Sequence, residues 1–474
     1  MRPCPEPVRH RRRVGLALCL LLAACPACVA PRKDPPPPVA VPETFSGTGA
    51  QAVPDRWWLA LEDPRLNDLV EQALAGNLNL RILWDRLDQA TATARRAGAP
   101  LWPSLTGEAE ALRTRQATRG APTDYQTTLT LGLAASYEVD LWGRVRSTLG
   151  AAEFGVRASE DDLAAAAMTL AAEVAGTWYR ILDLRGQLAL LDEQVRTNEK
   201  YLELVTLRFR SRMVSAVDVL QQRGLVEATR AEKVRAESAL KVLEHQLAIL
   251  VGRPPGAAVA GADGELPALP GLPSTGLPAD LIRKRPDIRG AYHRLQQADR
   301  QVAAAVADRF PRVSLTVGAE TSAEQVRDLF DNWLAGLGAN LVAPLFDGGE
   351  RQAEVSRTRA VASERLHAYG QAILESLREV EDALVQEQQQ QRLLASIVLQ
   401  LDLATKSTEQ TRQQYVNGAL DYLRVLAALQ NEQRLQRNQL QARRELIEFR
   451  IGLYRALGGG WDLTRPADDA DANR

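Results

Sequence analysis

The sequence predicts a mixed α and β membrane protein in which short strands and very long helices recur in two copies. Three observations predict it. Shifting the chain by 208 residues lays Asn77–Pro103 over Arg285–Pro311 with eight of 27 positions identical, among them Arg81/Arg289, Gln89/Gln297 and Pro103/Pro311. Two long stretches, Gly143–Arg212 and Gly349–Gly418, contain no proline and are dominated by Ala, Leu, Glu, Gln and Arg, the strong helix formers. Between these features lie segments that alternate with period 2, as strands do.

The N-terminus reads as an export signal. Arg2, Arg9, Arg11, Arg12 and Arg13 precede an apolar run from Val14 to Ala24, which is signal-peptide length and too short to span a bilayer. The run ends Leu22-Ala23-Ala24-Cys25, small residues before a cysteine. This resembles the lipobox of bacterial lipoproteins, which implies acylation of Cys25 and cleavage just before it. An ordinary cleaved signal is the alternative. Pro26 follows Cys25, and no acidic residue marks inner-membrane retention, so the anchor is expected in the outer membrane. Residues 1–24 are the expected signal. Residues 25–54, with Pro35 to Pro38 in a row, form an extended tether.

The two copies span 64–252 and 277–457. A Gly/Pro/Ala-rich linker, 253–276, separates them, and a tail, 458–474, follows. Each copy opens with a helix, Pro64–Gly98 or Leu277–Arg309, closed by Pro103 or Pro311. Two strands follow: Leu105–Leu112 and Thr127–Val139, then Val313–Glu320 and Leu334–Pro344. Leu129, Leu131 and Leu133 alternate with Thr128, Thr130 and Gly132. That pattern suits a strand with lipid on one side and water on the other, and it suits a half-buried soluble sheet equally well. The export signal favours the membrane.

The long helices come next. At 1.5 Å per residue each is about 100 Å long. Each returns through a second helix, Ser215–Val251 or Asp421–Leu457. Helices of this length pack as coiled coils, and stripes such as Leu182, Leu184, Leu188 and Leu191 read as their core. No later stretch of about 18 apolar residues offers a helical span. Four strands cannot close a barrel, and a membrane sheet cannot leave its edges open. Closure therefore calls for oligomerisation, and three copies supply twelve strands.

Composition excludes other classes. With 58 Lys+Arg against 59 Asp+Glu, no basic surplus suggests nucleic-acid binding. Cys4, Cys19, Cys25 and Cys28 all lie at the extreme N-terminus, so the body has no disulfide framework or cysteine metal site. His245, His293 and His367 are scattered without metal-ligand spacing, and no phosphate loop or nucleophile elbow appears. No enzyme, metal or cofactor is expected. A lipid-tethered structural coiled coil would explain the helices but not the paired strands or the repeat.

The chain resembles the outer-membrane factor family, the TolC-like efflux channels, in its lipoprotein branch (OprM- and NodT-like). The likeness rests on Trp57-Trp58 with Asp63-Pro64-Arg65-Leu66, on Tyr137-Glu138-Val139-Asp140-Leu141-Trp142-Gly143-Arg144 and on Arg285-Pro286-Asp287-Ile288-Arg289. Phe310-Pro311, Pro344-Leu345-Phe346-Asp347-Gly348-Gly349 and Leu457-Gly458-Gly459-Gly460-Trp461 complete it. The resemblance implies a homotrimer with a twelve-stranded outer-membrane barrel continued by an α-helical periplasmic tunnel. It implies work with a periplasmic adaptor and an inner-membrane pump, passing small molecules such as drugs and toxic compounds outward without chemistry. A conduit for type I protein secretion is the family's alternative.

The resemblance also points to gating residues at the tunnel tip. Asp218 and Tyr415 match positions whose hydrogen bonding closes some family members, and Asp421 and Arg424 lie at the second inter-helix turn. The family's aperture is usually acidic there. Here Arg424 and Ala427 hold those positions and Asp421 is out of phase, so cation selectivity is not implied. Arg212 stands where the first turn usually has glycine.

Overall fold

The computed structural model describes residues 37–50, 52, 54–120, 122–257, 265–458 and 463–465. Cys25 and the Gly459-Gly460-Trp461 stretch lie outside the described residues. Two compact units emerge. One is built on Ala92–Gly155 and Leu295–Leu366, the other on Val39–Thr91, Val156–Arg294 and the described part of His367–Arg474.

Each half of the chain has the same order of elements. The first runs α1 (Pro64–Gly76), α2 (Leu78–Gly98), β1 (Ser104–Gln116), β2 (Asp124–Val139), α3 (Arg144–Arg210) and α4 (Ala216–Leu250). The second runs α5 (Pro278–Lys284), α6 (Pro286–Ala307), β3 (Arg312–Ala323), β4 (Trp333–Val342), α7 (Glu350–Val416) and α8 (Tyr422–Leu457). The opening helix expected in each half is two helices. Asn77 leaves the helical region at ψ 122°, its side-chain Nδ2 donates to the Leu250 carbonyl at 2.9 Å, and its side-chain oxygen accepts from Leu80 N–H. In the second half Arg285 is extended and Pro286 restarts the helix. Proline at a first helical position sacrifices no intrahelical bond, so the break there is cheap.

The unit holding the sheet has strand order β1-β2-β3-β4, every neighbour antiparallel. The first three strands are longer than the sequence pattern suggested, because pairing extends toward the polar hairpins, where Gln116 faces Asp124, whereas β4 stops at Val342, two residues short of the expected Pro344. Both strand-to-helix corners are capped by a carboxylate. Asp140 accepts from the N–H groups of Val145 and Arg146 at 3.0 and 2.9 Å, and Asp347 accepts from Gly349 N–H at 3.0 Å. Gly143, Gly348 and Gly349 carry positive φ in these turns, which explains glycine there. Trp142 stacks on Phe310 at 4.9 Å, and its indole N–H donates to the Pro311 carbonyl at 2.7 Å.

The other unit holds the apolar core. Trp57 and Trp58 are fully buried, meeting edge to face at 5.9 Å, and Trp57 stacks on Tyr454 at 5.7 Å. Asp63 caps α1 through Arg65 and Leu66 N–H and also accepts from the Trp178 indole at 2.8 Å. The Trp57-Trp58 and Asp63-Pro64 motifs are therefore one packing device. Arg450 and Glu387 form a fully buried ion pair, and Arg450 donates onward to the carbonyls of Pro270 and Gly271, pinning the chain that links the two halves.

Candidate functional site

The sheet separates its side chains by chemistry. Register places Leu105, Ala109 and Ala111 of β1 on one face with Leu129, Leu131 and Leu133 of β2. Val313, Leu315 and Val317 of β3 and Leu337 and Leu341 of β4 share that face. The opposite face is mainly polar, carrying Ser104, Thr106, Thr130, Ser136, Ser314, Thr316 and Asn340, with Leu112, Leu334 and Val342 confined to strand ends. Glu108 lies opposite Gly132 and Gly132 opposite Glu320, so two carboxylates share one row of the polar face. Large apolar side chains stand open to solvent, Leu337 at 80 % and Leu133 at 58 %, with Trp102 and Trp333 exposed near the two ends of the strands. A soluble sheet would cover such a face; a sheet bathed in hydrocarbon needs no cover. Both outer strands, β1 and β4, have an unpaired edge among the described residues.

The second feature is the pair of turns joining the long helices to their return helices. Arg212 adopts φ 61° in the first and Gly418 φ 76° in the second, the same left-handed conformation in both. Ser215 caps α4 by a capping box: its hydroxyl accepts from Asp218 N–H, and Asp218 Oδ2 accepts from Ser215 N–H at 2.9 Å. Asp421 caps α8, accepting from Arg424 N–H at 3.2 Å. Asp421 and Arg424 are thus brought together by a cap, with the acid supporting the helix dipole.

The bond anticipated between Asp218 and Tyr415 is not formed in this structure. The Asp218 carboxylate is engaged with Ser215, and the buried Tyr415 hydroxyl has no hydrogen-bond partner among the described residues. Burial raises the Tyr415 pKa above its ordinary value; Arg208, whose guanidinium stacks 4.4 Å over the ring, works the other way. Arg208 also donates to the Tyr415 carbonyl near the end of α7 at 2.8 Å, beside the Gly418 N–H that reaches the same oxygen at 3.0 Å.

Sequence reasoning missed the polar chain behind these turns. Tyr422 donates to Gln222 Oε1 at 2.6 Å, Gln222 donates to the Asn198 carbonyl at 2.7 Å, and Gln433 donates to Asn198 Oδ1 at 2.7 Å. Asn198 also donates to Thr229 at 2.9 Å. All five residues are buried. They cross-link α3, α4 and α8 just behind an apolar cluster of Val205, Tyr415, Tyr422, Val425 and Leu426. A lone Asn or Gln in a coiled-coil sequence gives no sign of its partners; the signal available was several such residues on the buried stripe.

Among the described residues no group of three or more His, Cys, Asp or Glu could hold a metal ion, and no helix is long and apolar enough to cross a membrane. His293 Nδ1 lies 2.7 Å from the buried Asp161, which Arg289 also engages.

The sequence profile of the outer membrane efflux protein family matches residues 69–253 and again 277–459. The chain belongs to the outer membrane efflux protein family. It is an efflux channel component of the kind this family comprises. Among its relatives is the pyoverdine export outer membrane protein OpmQ of Pseudomonas aeruginosa, 32 % identical over 466 residues, covering 95 % of this chain and 97 % of that protein. The outer membrane protein OprJ of Pseudomonas aeruginosa is also 32 % identical, over 95 % of this chain and 96 % of its own length. The solved outer-membrane channel OprN superposes with a TM-score of 0.85 at 28 % identity, covering 90 % of this chain and 99 % of that one.

Proposed function

We propose that three copies of this efflux protein close a twelve-stranded barrel in the outer membrane, and that their helices form a periplasmic tunnel. The observation that carries this reading is the four-stranded sheet, apolar on one face, polar on the other, with β1 and β4 both open at the edge. A membrane sheet must satisfy its edges, and joining β1 of one copy to β4 of the next does so with no leftover strand. The twelve strands enclose a lumen lined by the polar face. The N-terminal cysteine, Cys25, carries lipid that anchors the chain beside its barrel, through the tether 25–54. The repeats 64–252 and 277–457 each supply one strand pair and one long helical hairpin.

A periplasmic adaptor and an inner-membrane pump deliver small molecules to the hairpin ends, and the channel conducts them passively. Export of the small molecule named for OpmQ, pyoverdine, favours small-molecule cargo over secreted protein. The test is efflux in a Gram-negative host stripped of its own outer-membrane channels. Supplying this chain with its native pump and adaptor is expected to lower intracellular dye accumulation several-fold. Unchanged accumulation with the protein present in the outer membrane contradicts the reading.

A further inference from the structure

The outer ends of β1 and β2 carry a feature that conduction does not use. On the face that carries the apolar stripe, the row Ala111–Leu129 is followed by Arg113 opposite Thr127 and then Arg115 opposite Tyr125. Two residues are about 7 Å of strand, so the change from hydrocarbon to guanidinium is abrupt. Both guanidiniums gather at one ring: Arg113 lies 5.4 Å and Arg115 5.9 Å from the Tyr125 centroid. Tyr125 is itself exposed. No acidic residue stands on this face of any of the four strands, the carboxylates Glu108, Glu110, Asp124, Glu138 and Glu320 all being on the other. Neither arginine has an ion-pair partner among the described residues. The strand ends that join the helices lie at the opposite end of the sheet.

We propose that Arg113, Arg115 and Tyr125 form a docking surface for the phosphorylated headgroups of outer-leaflet lipid. The assignment rests on the barrel reading above, which makes this face lipid-facing and this end external. Charge complementarity and position argue for it together. Two cations with no internal counter-ion sit just above a hydrocarbon-facing band, at the depth where lipid phosphates lie. Guanidinium forks match phosphate oxygens in pairs, and a tyrosine at this level holds its ring in the interface while its hydroxyl stays wet. The planar ring also keeps both forks side by side, since cations over an aromatic face are held by its quadrupole. The partner is the lipid, not free anion, because the same lipid's acyl chains would cover Leu129, Leu131 and Leu133 on the continuous face below.

The experiment is native mass spectrometry of the full-length assembly, delipidated and incubated with diphosphorylated lipid A or with the same lipid A stripped of phosphate. Near a charged bilayer each basic side chain contributes about fivefold in affinity, so the Arg113→Gln, Arg115→Gln double variant is expected to retain diphosphorylated lipid A roughly 20- to 30-fold more weakly. The Arg113→Lys, Arg115→Lys variant should keep much of the binding, and dephosphorylated lipid A should not distinguish the proteins. Inorganic pyrophosphate should compete weakly. Equal retention by the unaltered protein and the glutamine variant, or displacement of the lipid by millimolar pyrophosphate, overturns the proposal. Vesicle flotation separates the two levels of inference: unaltered protein that fails to float contradicts the barrel reading, whereas floating protein with unchanged lipid retention overturns the headgroup site alone.

Discussion

The Tyr422 hydroxyl donates to Gln222 Oε1 at 2.6 Å in a region sealed from water, and this bond ties the first turn of α8 to the first turns of α4. The same Gln222 reaches the Asn198 carbonyl on α3. Burial pushes the Tyr422 hydroxyl pKa well above its ordinary value, so the group stays protonated and remains a donor at any physiological pH. Three helices therefore share one polar joint near the turns.

Removing one partner of this joint should cost more than removing both. Tyr422→Phe leaves the Gln222 oxygen buried and unpaired, which is expected to destabilise the protein by about 1–3 kcal/mol. Adding Gln222→Leu should restore part of the loss. Thermal midpoints of detergent-solubilised single and double variants check this, and strict additivity would show that the two residues are not coupled.

The two inter-helix turns should respond in opposite directions. Arg212 holds a left-handed conformation that costs a side chain about 1–2 kcal/mol, so Arg212→Gly is expected to gain up to about 1 kcal/mol once glycine's greater unfolded freedom is subtracted. Gly418→Ala meets no atom within 4 Å of the new Cβ, so its loss is purely conformational and, with the same unfolded-state correction, comes to about 1 kcal/mol. Opposite shifts in thermal midpoint are the expected result.

Acid should loosen the strand-to-helix corners. Partial burial opposes ionisation of Asp140, yet N–H donors from Arg146 and Val145 outweigh it and hold its pKa below 3.8. Gly349 N–H holds the half-buried Asp347 below 3.8 as well. Because the folded pKa values are depressed, the stabilisation is present above 3.8 and is lost as pH falls through the lowered values. Asp140→Asn should lower stability at neutral pH and flatten its decline between neutral and acid. A variant whose acid profile parallels the unaltered protein would show that the caps do not contribute.

Breaking the buried ion pair should be the most damaging single change. Glu387→Leu strands the Arg450 guanidinium with only the Pro270 and Gly271 carbonyls and part of the Tyr454 ring as partners. The expected cost is about 3–5 kcal/mol, seen as a large fall in thermal midpoint and faster proteolysis near residue 270.

Much of this architecture was legible in the chain. The match between Asn77–Pro103 and Arg285–Pro311 anticipates the repeated order of elements, and the alternation at Leu129, Leu131 and Leu133 anticipates a sheet with one apolar face. The breaks at Asn77 and Arg285 went unread although each carries a local signal: Gly76 precedes Asn77, whose side-chain oxygen caps Leu80 N–H, and Pro286 follows Arg285. The Asn198, Gln222 and Gln433 joint was hidden: amides report a partner only when two distant helices meet. Asp218 was read toward Tyr415, but a carboxylate three residues after Ser215 has a nearer donor in the backbone, and the capping box uses it.

The central claim is that this chain becomes a channel only as three copies joined edge to edge. Native mass spectrometry of the assembly extracted from outer membranes tests it most directly. The account predicts a single species of three times the mature chain mass, and a cysteine pair introduced on β1 and β4 should cross-link it into a covalent trimer. Ion-conducting particles of one chain's mass would contradict it.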